Sequence, residues 1–176
     1  MRFTPTPVEG VVVVEVEKIR DDRGFFARAW CRDEFAQHGL TADWAQVNVG
    51  RSDRAGTLRG MHYQREPHAE AKLVRCTAGA VYDVALDLRP SSPSFRKWMG
   101  VELDAREHTM LYIPEGCAHG YQTLRDGSEI VYFTSCAYAR DAATGVRWDD
   151  PAFGIQWPAP VTVISSQDAG WDLWLK

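Results

Sequence analysis

The stretch from Leu58 to Cys76, LRGMHYQREPHAEAKLVRC, decides how this chain reads. Leu58, Met61 and Tyr63 frame His62, and Leu73 and Val74 follow directly on Lys72. Arg65-Glu66-Pro67 is turn-forming and separates the halves, so the stretch predicts two strands joined by a polar loop. A histidine and a lysine among apolar strand residues are ionisable groups headed for burial. That is costly unless they are paired or used. The plainer reading of the same residues is two surface strands with their charges in water.

Upstream, Val11 to Val16 is a β-branched run, and Pro5 and Pro7 rule out a helix before it. Asp21-Asp22-Arg23-Gly24 predicts a turn and Phe25 to Trp30 a strand. Arg32 to His38, closed by Gly39, is the one convincing helical segment. Trp44 to Val49 is extended and Ser52 to Gly56 a polar loop. Downstream, AVYDVALDL after Gly79 alternates cleanly: Tyr82, Val84, Leu86 and Leu88 on one face, Val81, Asp83, Ala85 and Asp87 on the other. Trp98 to Leu103 and Met110 to Ile113 predict further strands. Tyr121 to Leu124 and Glu129 to Cys136 flank Asp126-Gly127 and read as a hairpin. Val161 to Ile164 ends the series. Many short strands, one short helix and no βαβ rhythm predict an all-β fold, an antiparallel barrel or sandwich, in one domain over residues 1–176.

Composition narrows the function classes. A formal net charge of −4 and no Lys/Arg run leave no footprint for nucleic acid. Val11 to Val14 is far too short to span a membrane, and the N-terminus lacks a signal-peptide pattern, which predicts a cytoplasmic protein. Cys31, Cys76, Cys117 and Cys136 are scattered without a CxxC and read as small core residues. Seven tryptophans, mostly in the last third, suggest an aromatic-lined site or interface.

Two chemistries fit the histidines. Pro114, Gly116 and His119 form a PxGxxH like that of metal-binding cupins, but the paired imidazole of an HxH is missing at His62-Tyr63-Gln64, with Glu70 at a looser spacing. No metal and no cofactor are therefore expected. The other chemistry is proton transfer next to a carbonyl, which needs a base, a stabiliser for the enolate oxygen and an acid on the opposite face. His62, Lys72 and Tyr132 are of the right types, and Asp168 is a candidate partner for His62.

A wider set of motifs occurs in order: Asp22 to Phe26, Gln46-Val47-Asn48, Leu58 to Gln64, Lys72 to Cys76, Gly79 with Asp83-Val84-Ala85, IPEGCAHG at 113–120, Trp148 to Pro151, Ile155 to Pro158 and Ser165 to Asp168. Over essentially the whole chain this set resembles the dTDP-4-dehydrorhamnose 3,5-epimerases. The resemblance implies a cofactor-independent, homodimeric, cupin-type jelly-roll barrel acting on a nucleotide-linked 4-keto-6-deoxyhexose. It implies that His62, oriented by Asp168, removes protons next to the C4 keto group, that Lys72 stabilises the enolate and that Tyr132 returns the proton from the other face. His119, paired with Asp83, matches the family's second buried histidine. Arg23, Gln46, Asn48 and Arg59 match positions that hold nucleotide, diphosphate or sugar, and Tyr138 an aromatic near them.

Strand parity forbids Arg59 and His62 from both pointing inward on a regular strand, so Gly60 must allow a bulge or Arg59 must reach in from the rim. Some substrate positions depart from the family pattern. Arg28 stands where a glutamate is common, Thr144 where a second is, and Gln167 where a basic residue is. At Arg28 a cation can only donate, which suits a base edge with an acceptor; otherwise the side chain lies in solvent or on the diphosphate. Inversion at C3 only or C5 only, a CDP- or GDP-linked sugar, and a sugar-binding or metal-dependent cupin without epimerase activity are the alternatives.

Overall fold

The computed structural model describes residues 1–174. Its first half holds β1 (Arg2–Pro5), β2 (Val12–Glu15), β3 (Ile19–Asp21), β4 (Gly24–Phe26), α1 (Arg32–Gln37), β5 (Gln46–Ser52), β6 (Thr57–Gln64), β7 (Lys72–Ala78) and β8 (Ala80–Asp87). Then come β9 (Trp98–Asp104), β10 (Met110–Ile113), β11 (Cys117–Thr123), β12 (Ser128–Thr134), β13 (Ala143–Gly145), β14 (Val163–Ile164) and α2 (Ser166–Ala169).

Two sheets face each other. The first runs β1-β2-β10-β7-β12-β5, and the second runs β13-β6-β11-β8-β9 with β14 beside β6. Apart from the β14–β6 pair these ladders are antiparallel, giving the predicted all-β jelly roll. Alternation explains the layers. Val74 and Cys76 of β7, Val81 and Ala85 of β8, and Ile130 of β12 meet between the sheets and plug one end of the barrel. The opposite faces are covered from outside. Phe35 of α1 packs with Leu73, Met110 and Tyr112 on the first sheet, and Val146, Phe153, Ile155 and Trp157 pack with Val84 and Leu86 on the second. Burying both faces of β8 strands Asp87 in the interior. Burial alone would push its carboxyl up, but Arg89, Ser92 and Ser94 all donate to it and hold it well below the usual carboxylate range.

Several local expectations change. β6 and β7 form on either side of the Arg65-Glu66-Pro67 loop, but they belong to different sheets, so the loop is an arch across the barrel. The Asp126-Gly127 turn likewise passes from β11 in the second sheet to β12 in the first; it is not a hairpin. The strand expected over Phe25 to Trp30 stops at Phe26, while β1, β3, β13 and α2 form where no element was predicted. The tryptophans serve mostly as cover: Trp98, Trp157 and Trp174 pack over the second sheet, Trp30 and Trp44 around α1. Cys76 and Cys117 are buried, which pushes their thiols up to about 11 and about 12, whereas Cys31 and Cys136 are only half-buried.

The bulge demanded by parity exists. His62 pairs with His119 and Arg59 with Tyr121, so Gly60 and Met61 on β6 lie opposite Gly120 alone on β11. Gly60 has φ +117°, and a Cβ there would fall 2.5 Å from the Gly120 Cα and 2.7 Å from the His119 carbonyl oxygen. Only glycine fits. Gly60→Ala should therefore cost at least about 1–3 kcal/mol of stability. A thermal melt should show a Tm roughly 2–12 °C lower; an unchanged Tm would mean the strands can part cheaply.

Candidate active site

Between the sheets, at the end away from the apolar plug, lies a cavity of about 890 Å³. Gln46 and Asn48 of β5, Lys72 of β7 and Tyr132 of β12 line it from the first sheet. Arg59 and His62 of β6, His119 and Tyr121 of β11 and Thr144 of β13 line it from the second. Tyr138, Gln167, Asp168 and Trp171 complete the rim and one wall.

Asp168 reaches His62 through a gap in the sheet edge. β13 pairs with β6 at Gln64 to His62 and β14 pairs at Thr57 and Leu58, so α2 meets β6 between them. The Ser165 hydroxyl caps α2 by accepting from the Asp168 N–H at 3.0 Å. Asp168 is buried; Oδ2 accepts from the Gly60 N–H at 3.2 Å and Oδ1 from His62 Nε2 at 2.6 Å. Because a carboxylate only accepts, Nε2 carries the proton and Nδ1 keeps the lone pair. Burial alone would raise the Asp168 carboxyl, but the His62, Gly60 and Ser165 hydrogen bonds outweigh it and hold it below the usual carboxylate value.

The second histidine is set the same way. His119 Nε2 donates to Asp83 Oδ1 at 2.7 Å, and Asp83 is fully buried. Lys72 is buried and donates to Glu70, a partner the sequence had suggested only as a loose metal ligand. Burial first, and then the Glu70 charge, push the Tyr132 hydroxyl up, so at neutral pH it is a proton donor. Burial pushes neighbouring Tyr121 up to about 12. Arg59 lies at the mouth, held by the Ser52 hydroxyl at 3.2 Å and the Arg51 carbonyl at 3.0 Å, and among the described residues it pairs with no carboxylate. Among the described residues no group of three or more His, Cys, Asp or Glu is arranged to hold a metal ion.

The cavity thus gathers His62, Lys72, Tyr132, Asp168, Gln46, Asn48, Arg59, His119, Tyr138 and Gln167 as expected. Two expected substrate residues stay away from the cavity of their own chain. Arg23 sits on the β3–β4 turn with its side chain 90% exposed and paired with Asp21. Arg28 donates to Glu34 at 3.0 Å on the surface. The reason is topological: β3 and β4 pair only with each other and stand off the two main sheets. Trp171 was missed, since nothing in its neighbourhood in the sequence marks it off from the other tryptophans.

A family model described as dTDP-4-dehydrorhamnose 3,5-epimerase matches residues 5–175. The dTDP-4-dehydrorhamnose 3,5-epimerase of Shigella flexneri is 41% identical over 169 residues, covering 96% of this chain and 93% of that one. A solved epimerase of the same name from Bacillus anthracis, with TDP and PPi bound, superposes with a TM-score of 0.94 at 36% identity, over 98% of this chain and 99% of that one. A 3'-monoepimerase from Streptomyces bikiniensis in complex with dTDP-quinovose gives 0.87 at 34% identity, over 97% and 86%.

The Asp168 carboxyl is held below its unfolded value, so its contribution to stability is present above about pH 3.9 and is lost as pH falls below it. Asp168→Ala, which strands the Gly60 N–H and the His62 ring, should cost about 1–3 kcal/mol at pH 7. Parallel melts of both proteins should show that gap closing toward pH 3; a gap that stays constant with pH would contradict the ionised pairing.

Proposed function

The chain belongs to the dTDP-4-dehydrorhamnose 3,5-epimerase family, and from that premise we propose how its residues act. It is an isomerase of a nucleotide-linked 4-keto-6-deoxyhexose, with dTDP-4-dehydro-6-deoxyglucose inverted at C3 and C5 as the substrate reading. His62 Nδ1 takes the proton from the carbon beside the C4 ketone. The electron pair moves to the C4 oxygen, where the Lys72 ammonium offsets the enolate charge. Tyr132 then gives its hydroxyl proton to the opposite face of that carbon, and solvent restores both side chains. Each proton has a donor or acceptor already on the cavity wall. The observation that carries the reading is the opposition of the His62–Asp168 pair on the second sheet to Lys72 and Tyr132 on the first.

Arg59, Gln46, Asn48, Tyr138 and Gln167 lie toward the nucleotide end in this reading, and His119, oriented by the buried Asp83, contacts the sugar. The same geometry supports a homodimer. β5 is an edge strand whose Val47 and Val49 are exposed, and the β3–β4 hairpin exposes Ile19 and Phe26. Such apolar edges call for a partner. A second copy covering them would carry its Arg23 and Arg28 toward the cavity that its own chain does not offer. Four free cysteines suit a reducing cytoplasm, and no helix among the described residues is long and apolar enough to cross a membrane.

The first test is deuterium wash-in at C3 and C5 of dTDP-, CDP- and GDP-4-keto-6-deoxyhexoses. Label at both carbons of the dTDP sugar is expected; label at one carbon alone would make this chain a monoepimerase. His62→Ala should slow wash-in about 10²–10⁴-fold. Tyr132→Phe should spare wash-in more than epimer formation, and equal loss of both signals would move the acid elsewhere.

The shared site is tested by mixing. Arg23→Ala and His62→Ala homodimers should each be nearly inactive, while refolding them together in equal amounts should recover about a quarter of wild-type sites. If the mixture shows only the average of its parents, each site is built from one chain.

A further inference from the structure

His62 has a second neighbour that the reading above leaves idle. Trp171 lines the cavity and meets the His62 ring edge-on, with centroids 6.5 Å apart and planes at 75°. Its seat is a notch. Gly145 of β13 lies opposite His62 in the ladder, and a Cβ at Gly145 would fall 2.5 Å from both Cε2 and Nε1 of the indole. Nε1 is buried and has no hydrogen-bond partner among the described residues, so the notch fixes the indole by its shape. It also follows Gly170, which ends α2, so one short segment delivers both the carboxylate and the indole to the same imidazole.

The geometry points to Trp171 as a positioning residue for the base, an inference that rests on the epimerase reading. The Asp168 hydrogen bond fixes where Nε2 sits, but the second side-chain torsion of histidine has a broad energy well. One hydrogen bond therefore leaves the ring plane free to rock, and with it the direction of the Nδ1 lone pair. An indole edge packed against the ring removes that freedom. Proton transfer is sensitive to such direction, and small misplacements of a reacting group cost on the order of 10²-fold.

Trp171→Ala and Trp171→Phe test this, read by kcat and KM for deuterium wash-in, dTDP affinity by calorimetry, and Tm. Trp171→Ala should lower kcat about 10–100-fold while KM and dTDP affinity hold, and Trp171→Phe should restore most of the loss. In a His62→Ala background, Trp171→Ala should have no further effect, because a positioning residue acts only through the base. If Trp171→Ala does not fold, Trp171→Leu takes its place with the same kcat loss expected. A rise in KM at constant kcat makes Trp171 a wall of the substrate pocket and overturns the inference. So does an unchanged kcat, or a Phe variant as slow as the Ala variant. Absence of wash-in by the wild-type protein on every sugar would instead overturn the epimerase reading.

Discussion

Two glycines crossing at van der Waals distance set the geometry of this barrel. Gly60 and Gly120 leave no room for a Cβ on either strand, and the two-against-one bulge they permit turns Arg59 and His62 to the same side. Without it, the period of two would send one of them to the outer face, against Val84 and the tail. The same pairing aligns His62 with His119. Both imidazoles therefore face the cavity from adjacent strands, each with its own carboxylate behind it.

Asp168 ties folding to chemistry. Where β13 and β14 leave β6 without a strand partner, the Gly60 N–H needs an acceptor. The carboxylate that meets this need also orients the His62 ring. One ionised group thus closes a sheet edge and sets a tautomer. Its carboxyl stays depressed because the His62 and Gly60 hydrogen bonds and the His62 charge outweigh burial.

Most strands were legible because their signal is local: alternation in β8, the β-branched run of β2, and the breakers at Gly79, Pro90 and Pro114; the short β1, β3 and β13 carry too few residues to show one. The bulge at Gly60 was legible too, since two functional residues three apart contradict a regular strand. Sheet membership was not. Gln64 to Lys72 and Asp126-Gly127 carry the turn chemistry of hairpins, yet each passes between sheets, and no residue in the turn records which strand lies across from it. Helix α2 is four residues long, too short for any periodicity to show. The Glu70–Lys72 pair, two residues apart, was present in plain sight, but a strand-and-loop reading gives no reason for the side chains to meet.

The departures from the family pattern spare the candidate proton-transfer residues. Thr144 and Gln167 line the same cavity as His62, Lys72, Tyr132 and Asp168, while Arg28 lies on the surface away from it. Among the described residues Arg28 is tied to Glu34, an exposed pairing that contributes little. A reversed charge there leaves the fold and the proton path untouched. It bears on what the nucleotide end of a ligand meets on arrival. Thr144 has no charge to offer a base edge or a sugar hydroxyl, and Gln167 none to offer a phosphate. In the proposed reading Arg59, held by the Ser52 hydroxyl and the Arg51 carbonyl, is the cation at the mouth that receives a diphosphate. In the proposed reading, chemistry and nucleotide choice are carried by different residues, so selectivity is free to drift at Arg28, Thr144 and Gln167 while His62, Lys72 and Tyr132 keep their places.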